Sequence, residues 1–198
     1  MVHGMGRTPL STWGLARYLA RSGHTSEHFW YVAAFESFAG IRRRLRRRLE
    51  RIAPRGPYAV LGHSLGGLLL RDALHGLNPQ PRHFVMLATP NRSPRLAHRF
   101  RRFWFLRLFG GEPGQLLSDP AFYAKLPVPS VPYTIIAGTA GPRGRWSPFG
   151  DEVNDWIVAL SETRISDRDE PVLVSVEHSF IMYHAETRAA VARALATA

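Results

Sequence analysis

The chain has 198 residues and a formal net charge of +11, with 45% hydrophobic and 21% charged residues. This length and balance fit a globular domain with a real core, and no apolar run approaches the ~18 residues of a membrane span. The absence of cysteine excludes disulfides, thiolate metal sites and a cysteine nucleophile. We therefore expect a single domain over residues 1–198, and no secretory signal is visible at its start.

The first 21 residues predict a residual strand, a turn and a helix. Only Met1 and Val2 precede the turn, which reads His-Gly-Met-Gly over residues 3–6. Apolar side chains then recur at helical spacing over residues 9–21. The turn is either a plain strand-to-helix loop or, beside an active site, a source of backbone amide donors, with Met5 as the candidate.

A second strand and an arginine-rich helix follow. Residues 28–35 are dense in aromatic and branched side chains, as a buried strand should be. Residues 38–52 carry apolar side chains at steps of three and four, which define one helical stripe. Seven arginines stand between the apolar positions: Arg42, Arg43, Arg44, Arg46, Arg47, Arg48 and Arg51. We interpret this helix as packed on the core with a solvated cationic face, and contact with an anionic membrane or another polyanion is the alternative.

The most informative stretch is residues 58–70, an apolar run that a glycine-flanked serine interrupts. Residues 62–66 read Gly-His-Ser-Leu-Gly and fit the G-x-S-x-G pattern of a sharp strand-to-helix turn. Such a turn exposes the serine hydroxyl and leaves the next amide at a helix N-terminus, where it can donate to a developing oxyanion. The pattern is short and occurs by chance, but the flanking strand and helix supply the context that it requires. Ser64 is the candidate nucleophile and Leu65 a candidate oxyanion donor.

Residues 83–90 predict a further buried strand, and the alternation of strands and helices up to this point indicates a parallel sheet. Residues 91–131 break the alternation and mix arginines with large aromatic residues such as Phe100, Phe103 and Trp104. We interpret them as a lid or cap insertion that supplies an acyl-chain pocket or a lipid-docking surface. An ordinary helix that covers the sheet is the alternative.

The alternation resumes with predicted strands over residues 131–138 and 171–176, and a terminal helix is predicted over residues 185–197. Together these elements predict an α/β fold. We expect a three-layer sandwich, with a mostly parallel sheet of about six strands and helices on both faces.

A serine nucleophile needs a base in contact and a carboxylate that orients the base. In this type of sheet the chain order is serine, acid, histidine. His178 directly follows the last predicted strand and is favoured as the base over His184, which lies at the following helix. The acid comes from the loop after the preceding strand, where spacing alone leaves several candidates: Asp151, Glu152, Asp155, and the remoter Asp167 and Asp169.

These motifs resemble those of the α/β-hydrolase superfamily, and within it the small bacterial serine esterases and triacylglycerol lipases. Residues 3–4 look like its oxyanion-loop motif and residues 62–67 like its elbow. Residues 154–158 are similar to its acid loop, and residues 177–179 match its catalytic histidine position. The resemblance covers nearly the whole chain, implies a minimal form of that fold, and selects Asp155 as the acid.

Two features depart from the family pattern. Trp156 stands where a glycine usually follows the acid, so we expect a different backbone there. The strands that usually precede the first turn are missing, which predicts weak positioning of Met5.

The sequence therefore predicts a serine hydrolase that cleaves carboxylic esters, with lipidic or acyl esters as substrates. An acyltransferase with the same triad and an inactive anion-binding or membrane-binding protein are the alternatives. We expect no cofactor, no metal and no nucleic-acid partner. We expect a cytoplasmic location, with peripheral contact to anionic membranes through arginine-rich surfaces as an option.

Overall fold

The computed structural model describes residues 1–96 and 104–196, with the backbone alone for residues 104–109. Four strands form its sheet: β1 (Ala59–His63), β2 (His83–Leu87), β3 (Tyr133–Gly138) and β4 (Val172–Val174). The α-helices described are α1 (Leu10–Ala20), α2 (Phe38–Ile52), α3 (Leu65–Ala73), α4 (Trp104–Leu116), α5 (Pro120–Lys125), α6 (Leu160–Thr163) and α7 (Ala185–Ala196). Short 3₁₀ helices cover Ala53–Arg55 and His178–Tyr183.

All pairings in the sheet are parallel, and the strands lie side by side in chain order. Successive side chains of a strand point to opposite faces, so each face can bury its own set. On β2, Phe84 and Met86 pack with helices α2 and α3, whereas Val85 and Leu87 pack with α1 and α7. The predicted three-layer arrangement is confirmed, with helices on both faces of a parallel sheet.

The predicted number of strands is wrong, because the sheet formed by the described residues has four strands rather than about six. The two missing strands are reduced to single-residue bridges, in which Val2 pairs in parallel with Gly62 on one side and Phe29 on the other. Residues 28–35 do not form a buried strand: Trp30 is 54% exposed and Phe35 is 88% exposed. The chain turns at residues 33–35, where the aromatic-rich composition had suggested continued strand.

The short N-terminal segment is nevertheless held from both sides. The amide of Val2 donates to the carbonyl of Leu61 at 2.8 Å, and the amide of His63 donates to the carbonyl of Val2 at 3.0 Å. On the other side, the amide of Phe29 donates to the carbonyl of Met1 at 2.9 Å. The turn that follows Val2 therefore starts from fixed backbone directly beside the end of β1.

The segment between β2 and β3 contains the stretch predicted as a lid. Residues 97–103, and with them Phe100 and Phe103, lie outside the described residues, as does the side chain of Trp104. Both ends of the segment are tied to α3 by the buried Arg71, whose guanidinium donates to the carbonyls of Asn91 and Pro127. Burial lowers the pKa of Arg71 to about 10. No described helix is both long and apolar enough to cross a membrane.

Candidate active site

Ser64 lies at the turn between β1 and α3, and its backbone is strained. Its φ of 51° and ψ of −122° place it among the few non-glycine residues with positive φ. Such a conformation costs about 1–3 kcal/mol and persists only where the surroundings fix it. Here the amide of Ser64 donates to the carbonyl of Leu87 at 2.9 Å, and the serine carbonyl accepts from the amide of Gly67 at 2.9 Å. The elbow geometry expected of G-x-S-x-G is present.

The flanking glycines are required by close backbone approach. A Cβ atom added at Gly62 would lie 2.6 Å from the backbone of Gly67. One added at Gly66 would lie 2.4 Å from the carbonyl oxygen of Val2. Since real Cβ contacts are longer than this, no larger residue fits either position without moving the strand, the helix or the N-terminal segment.

Asp155 and His178 form a buried pair at the same edge of the sheet. The Nδ1–H of His178 donates to Oδ2 of Asp155 at 2.8 Å, and the two residues are 7% and 1% exposed. The other carboxylate oxygen, Oδ1, accepts from the amides of Ile157 at 3.1 Å and Val158 at 2.7 Å. The backbone amide of His178 also donates to the carbonyl of Asp155 at 2.9 Å. This arrangement fixes the ring and leaves Nε2 as the nitrogen that can accept a proton.

The other acids that the sequence left open do not contact His178. Asp151 is exposed, and the remaining three are engaged elsewhere. Their partners are Arg95 and the amide of Ser161 for Glu152, Arg92 for Asp167, and the hydroxyl of Tyr133 for Asp169. His184 directly precedes α7 and has a buried Nδ1 with no hydrogen-bond partner among the described residues. Of these candidates, the structure brings only Asp155 and His178 together.

The two proposed oxyanion donors lie on either side of Ser64. Leu65 is the first residue of α3, and a Cβ added at Gly4, just before Met5, would lie 3.2 Å from Cβ of Ser64. Within residues 1–96 and 104–196, neither the Met5 amide nor the Leu65 amide donates a hydrogen bond. Amides with no internal acceptor, one of them at a helix N-terminus, are suited to stabilise a negative charge.

Comparisons with solved structures find similar backbones at low sequence identity. The lipase BlEst2 of Bacillus licheniformis, in mature form, has a TM-score of 0.71 and 17% identity over 91% of this chain and 84% of its own. The RedJ thioesterase of Streptomyces coelicolor has a TM-score of 0.63 and 16% identity, covering 99% of this chain and 87% of its own. An extracellular α/β-hydrolase from a Paenibacillus species has a TM-score of 0.64 and 16% identity, covering 100% and 96%.

The chain has the α/β-hydrolase fold. The fold that the sequence motifs implied is thereby confirmed. Neither a scan against models of protein families nor a search of curated proteins finds a match. At these identities the likeness establishes the fold alone, so the chemistry of this α/β-hydrolase fold has to be argued from its own side chains.

The predicted acid loop, which holds Asp155, keeps a glycine-like backbone despite Trp156. The tryptophan has a φ of 81°, in the left-handed region that favours glycine. Its amide donates to Oδ1 of Asn154 at 3.0 Å, and the next two amides donate to Asp155. The expectation that tryptophan would impose a different backbone is therefore wrong: the hydrogen bonds of the loop hold the strained conformation in place.

Sequence reasoning missed His63, the residue before Ser64. Its ring is 2% exposed, its centroid lies 5.1 Å from that of His178, and its Nε2–H donates to the carbonyl of His178 at 3.2 Å. Burial, with the neighbouring His178 adding to it, holds the pKa of His63 well below its usual value. The neutral ring thus connects the elbow to the backbone of the candidate base. The only signal in the sequence was its place within the G-x-S-x-G pattern, which allows any residue there.

His3 helps to fix the turn that contains Met5. Its ring stacks on Tyr31 with centroids 4.4 Å apart, and the hydroxyl of Tyr31 donates to the carbonyl of His3 at 2.8 Å. Burial lowers the pKa of His3, so that this ring too is neutral at pH 7. The weak positioning of Met5 expected from the short N-terminus is not what the structure shows, because these contacts and the Val2 bridges fix the preceding residues.

Proposed function

We propose that the protein is a serine hydrolase that cleaves carboxylic esters, with lipidic or acyl esters as its substrate class. Ser64 is the nucleophile, His178 the base and Asp155 the acid. The observation that carries the proposal is the buried 2.8 Å contact between His178 and Asp155, at the end of the sheet where the strained Ser64 lies. A serine hydroxyl is a weak nucleophile unless such a base takes its proton.

In the first half of the reaction, Oγ of Ser64 attacks the ester carbonyl carbon while Nε2 of His178 takes the hydroxyl proton. Asp155 stabilises the resulting imidazolium, and the amides of Met5 and Leu65 donate to the oxyanion. The tetrahedral intermediate then collapses, the bond to the alkoxide oxygen breaks, and His178 returns its proton to the departing alcohol. The product of this half is an ester of Ser64 with the acyl group.

In the second half, water replaces the alcohol. His178 takes a proton from the water as its oxygen attacks the acyl-enzyme carbonyl, and the same two amides stabilise the second oxyanion. Collapse breaks the bond to Ser64, and His178 returns the proton to Oγ, which releases the carboxylic acid. No cofactor is needed for either step.

Apolar residues beside the oxyanion turn support an acyl substrate. Gly110 of α4 packs against the side chain of Met5, since a Cβ added there would lie 2.9 Å from its sulfur. Phe122 of α5 packs edge-on against Phe38 with ring centroids 4.9 Å apart, and Leu116 contacts the same core cluster. Met5 packs against that cluster as well, so one proposed oxyanion donor has apolar surroundings, which suits the chain of an acyl ester.

The direct test is labelling by a fluorophosphonate followed by intact-mass measurement. The native chain is expected to gain one adduct, which peptide mapping should place on Ser64. Ser64→Ala should gain none, while the matched control Ser130→Ala, at an exposed position, should label as the native chain does. A folded native chain that is not labelled contradicts the proposal. Product analysis with a competing alcohol then separates hydrolysis from acyl transfer.

A further inference from the structure

The arginine run of α2 divides into two sets with different surroundings. One set pairs with carboxylates: Arg42 with Asp72, Arg44 with Glu36, Arg46 with Glu50, and Arg48 with Glu27. The other set is Arg43, Arg47 and Arg51, none of which has a carboxylate partner among the described residues. The first set has a structural role: three of the pairs join α2 to neighbouring segments, and Arg46, whose partner Glu50 lies in α2 itself, also donates to the carbonyls after α3. No such structural role explains the three arginines of the second set.

Arg43, Arg47 and Arg51 form a single line on the outside of the helix, which we call the arginine stripe. All three are exposed. They are spaced four residues apart, so the stripe is roughly 12 Å long at 1.5 Å per residue. Among the described residues, the hydrogen bonds of the stripe stay within it: Nε of Arg47 donates to the carbonyl of Arg43 at 3.4 Å, and Nε of Arg51 to that of Arg47 at 3.3 Å. Like charges at this spacing repel each other, so the stripe costs stability unless an anion neutralises it.

An open groove with an aromatic wall borders the stripe. The groove has a volume of about 830 Å³ and lies between residues 28–30 and α2, with Arg47 and Arg51 in its lining. Trp30, which is 54% exposed, stands in its wall, and its carbonyl accepts from Arg44. Tryptophan combines an apolar body with a polar N–H, and it is enriched where a protein meets the headgroup region of a bilayer.

We propose that the arginine stripe, together with Trp30, docks on an anionic phospholipid surface. Cationic side chains on an amphipathic helix attract anionic headgroups, and a neighbouring aromatic residue adds apolar contact. A bilayer fits this surface better than a single-stranded nucleic acid does. Such strands stack successive bases on aromatic platforms, and of the aromatic rings that line this groove, those of His28, Phe29 and Trp30, only Trp30 is exposed.

The helix that carries the arginine stripe also contacts the segment beside the candidate active site. The first amide of α2, that of Phe38, donates to Oε2 of Glu112 at 2.6 Å, and Phe38 contacts Phe122. Glu112 and Phe122 belong to the segment between β2 and β3, which also packs on the oxyanion turn. The docking proposal does not depend on the hydrolase proposal, since it rests on the arginine stripe of α2 and on Trp30.

Vesicle flotation with the full chain tests the proposal. Vesicles of ether-linked phosphatidylcholine, alone or mixed with ether-linked phosphatidylglycerol, cannot be hydrolysed as esters, so binding is measured whether or not the protein is an esterase. The test variant is Arg43→Gln/Arg47→Gln/Arg51→Gln. The matched control is Arg143→Gln/Arg145→Gln/Arg168→Gln, which removes the same charge from other exposed positions.

The native chain is expected to bind only the anionic vesicles, and more weakly at high salt. The stripe variant should lose about a hundredfold in partition coefficient, and the control less than about threefold. Trp30→Ala should weaken binding, whereas Trp146→Ala, another exposed tryptophan, should not. If the two triple variants lose the same factor in partition coefficient, binding depends on net charge alone, and the proposed role of the arginine stripe is wrong. If the native chain does not bind anionic vesicles, or if the stripe binds an oligonucleotide more tightly, the proposal that the stripe docks on a lipid surface is wrong.

Discussion

His63→Gln is the substitution whose effect can be worked out most fully from the structure. Burial depresses the pKa of His63 in the folded state well below its ordinary value of about 6.5. The stability that follows from this shift is fully present above the unfolded pKa. It is lost as the pH falls below about 6.5 toward the folded pKa, because the unfolded chain then binds a proton that the folded chain does not.

The size of the effect follows from linkage. One proton bound only by the unfolded state changes the free energy of unfolding by about 1.4 kcal/mol per pH unit. Between pH 6.5 and pH 5, His63 should therefore contribute a loss of at most about 2 kcal/mol. Glutamine cannot titrate in this range, and its side-chain amide can replace the donor to the carbonyl of His178. The free energy of unfolding of His63→Gln should therefore fall less steeply with decreasing pH than that of the native chain, by the equivalent of about one proton.

Urea unfolding at pH 7.5, 6 and 5, followed by far-UV circular dichroism, measures this slope. His3 and His83 also have pKa values lowered by burial, so the native chain is expected to lose stability more steeply than one histidine predicts. His24→Gln, at an exposed position, is the matched control and should keep the native slope. If His63→Gln loses stability with pH as steeply as the native chain does, the reasoning about the buried neutral ring is wrong.

The remaining predictions concern the acid loop and the buried arginine. Asp155→Asn should lower kcat for a p-nitrophenyl ester by about 10⁴-fold, whereas Glu152→Gln should cost less than about tenfold, and comparable losses would contradict the assignment. Trp156→Gly should raise the free energy of unfolding by up to about 1 kcal/mol in urea, with no such gain for Trp156→Ala, which keeps a Cβ atom. Arg71→Met should cost about 3 kcal/mol in the same assay, because it leaves buried carbonyls unpaired, and a cost below 1 kcal/mol would refute that role.

The site was more predictable from the sequence than the edge of the sheet. Ser64 and its glycines form a local pattern whose backbone demands are met within a few residues, and the order of the following strands leads to His178. The choice of Asp155 came from the resemblance of its loop to a family motif, because spacing alone does not show which carboxylate reaches the base. Only the folded loop distinguishes Asp155 from Glu152, because Asp155 contacts His178 whereas Glu152 pairs with Arg95.

Residues 28–35 and the arginines of α2 show what the sequence could not supply. The aromatic composition of residues 28–35 favours a strand. This segment can pair only with the short stretch around Val2, and there it forms a single bridge, between Val2 and Phe29. The arginines look alike in the sequence, and their division depends on carboxylates distant along the chain, such as Glu27 and Asp72. The sequence did not reveal the role of His63 for a similar reason, since its partner is the backbone of a residue 115 positions later in the chain.

The central claim is that Ser64 performs nucleophilic chemistry on esters. Turnover of a p-nitrophenyl ester by the native chain, Ser64→Ala and Ser130→Ala, with thermal unfolding by circular dichroism as the check of folding, tests it most directly. We expect Ser64→Ala to unfold like the native chain and to show no turnover above the spontaneous rate, while Ser130→Ala retains native turnover. A folded Ser64→Ala that turns over the ester at the native rate would contradict it.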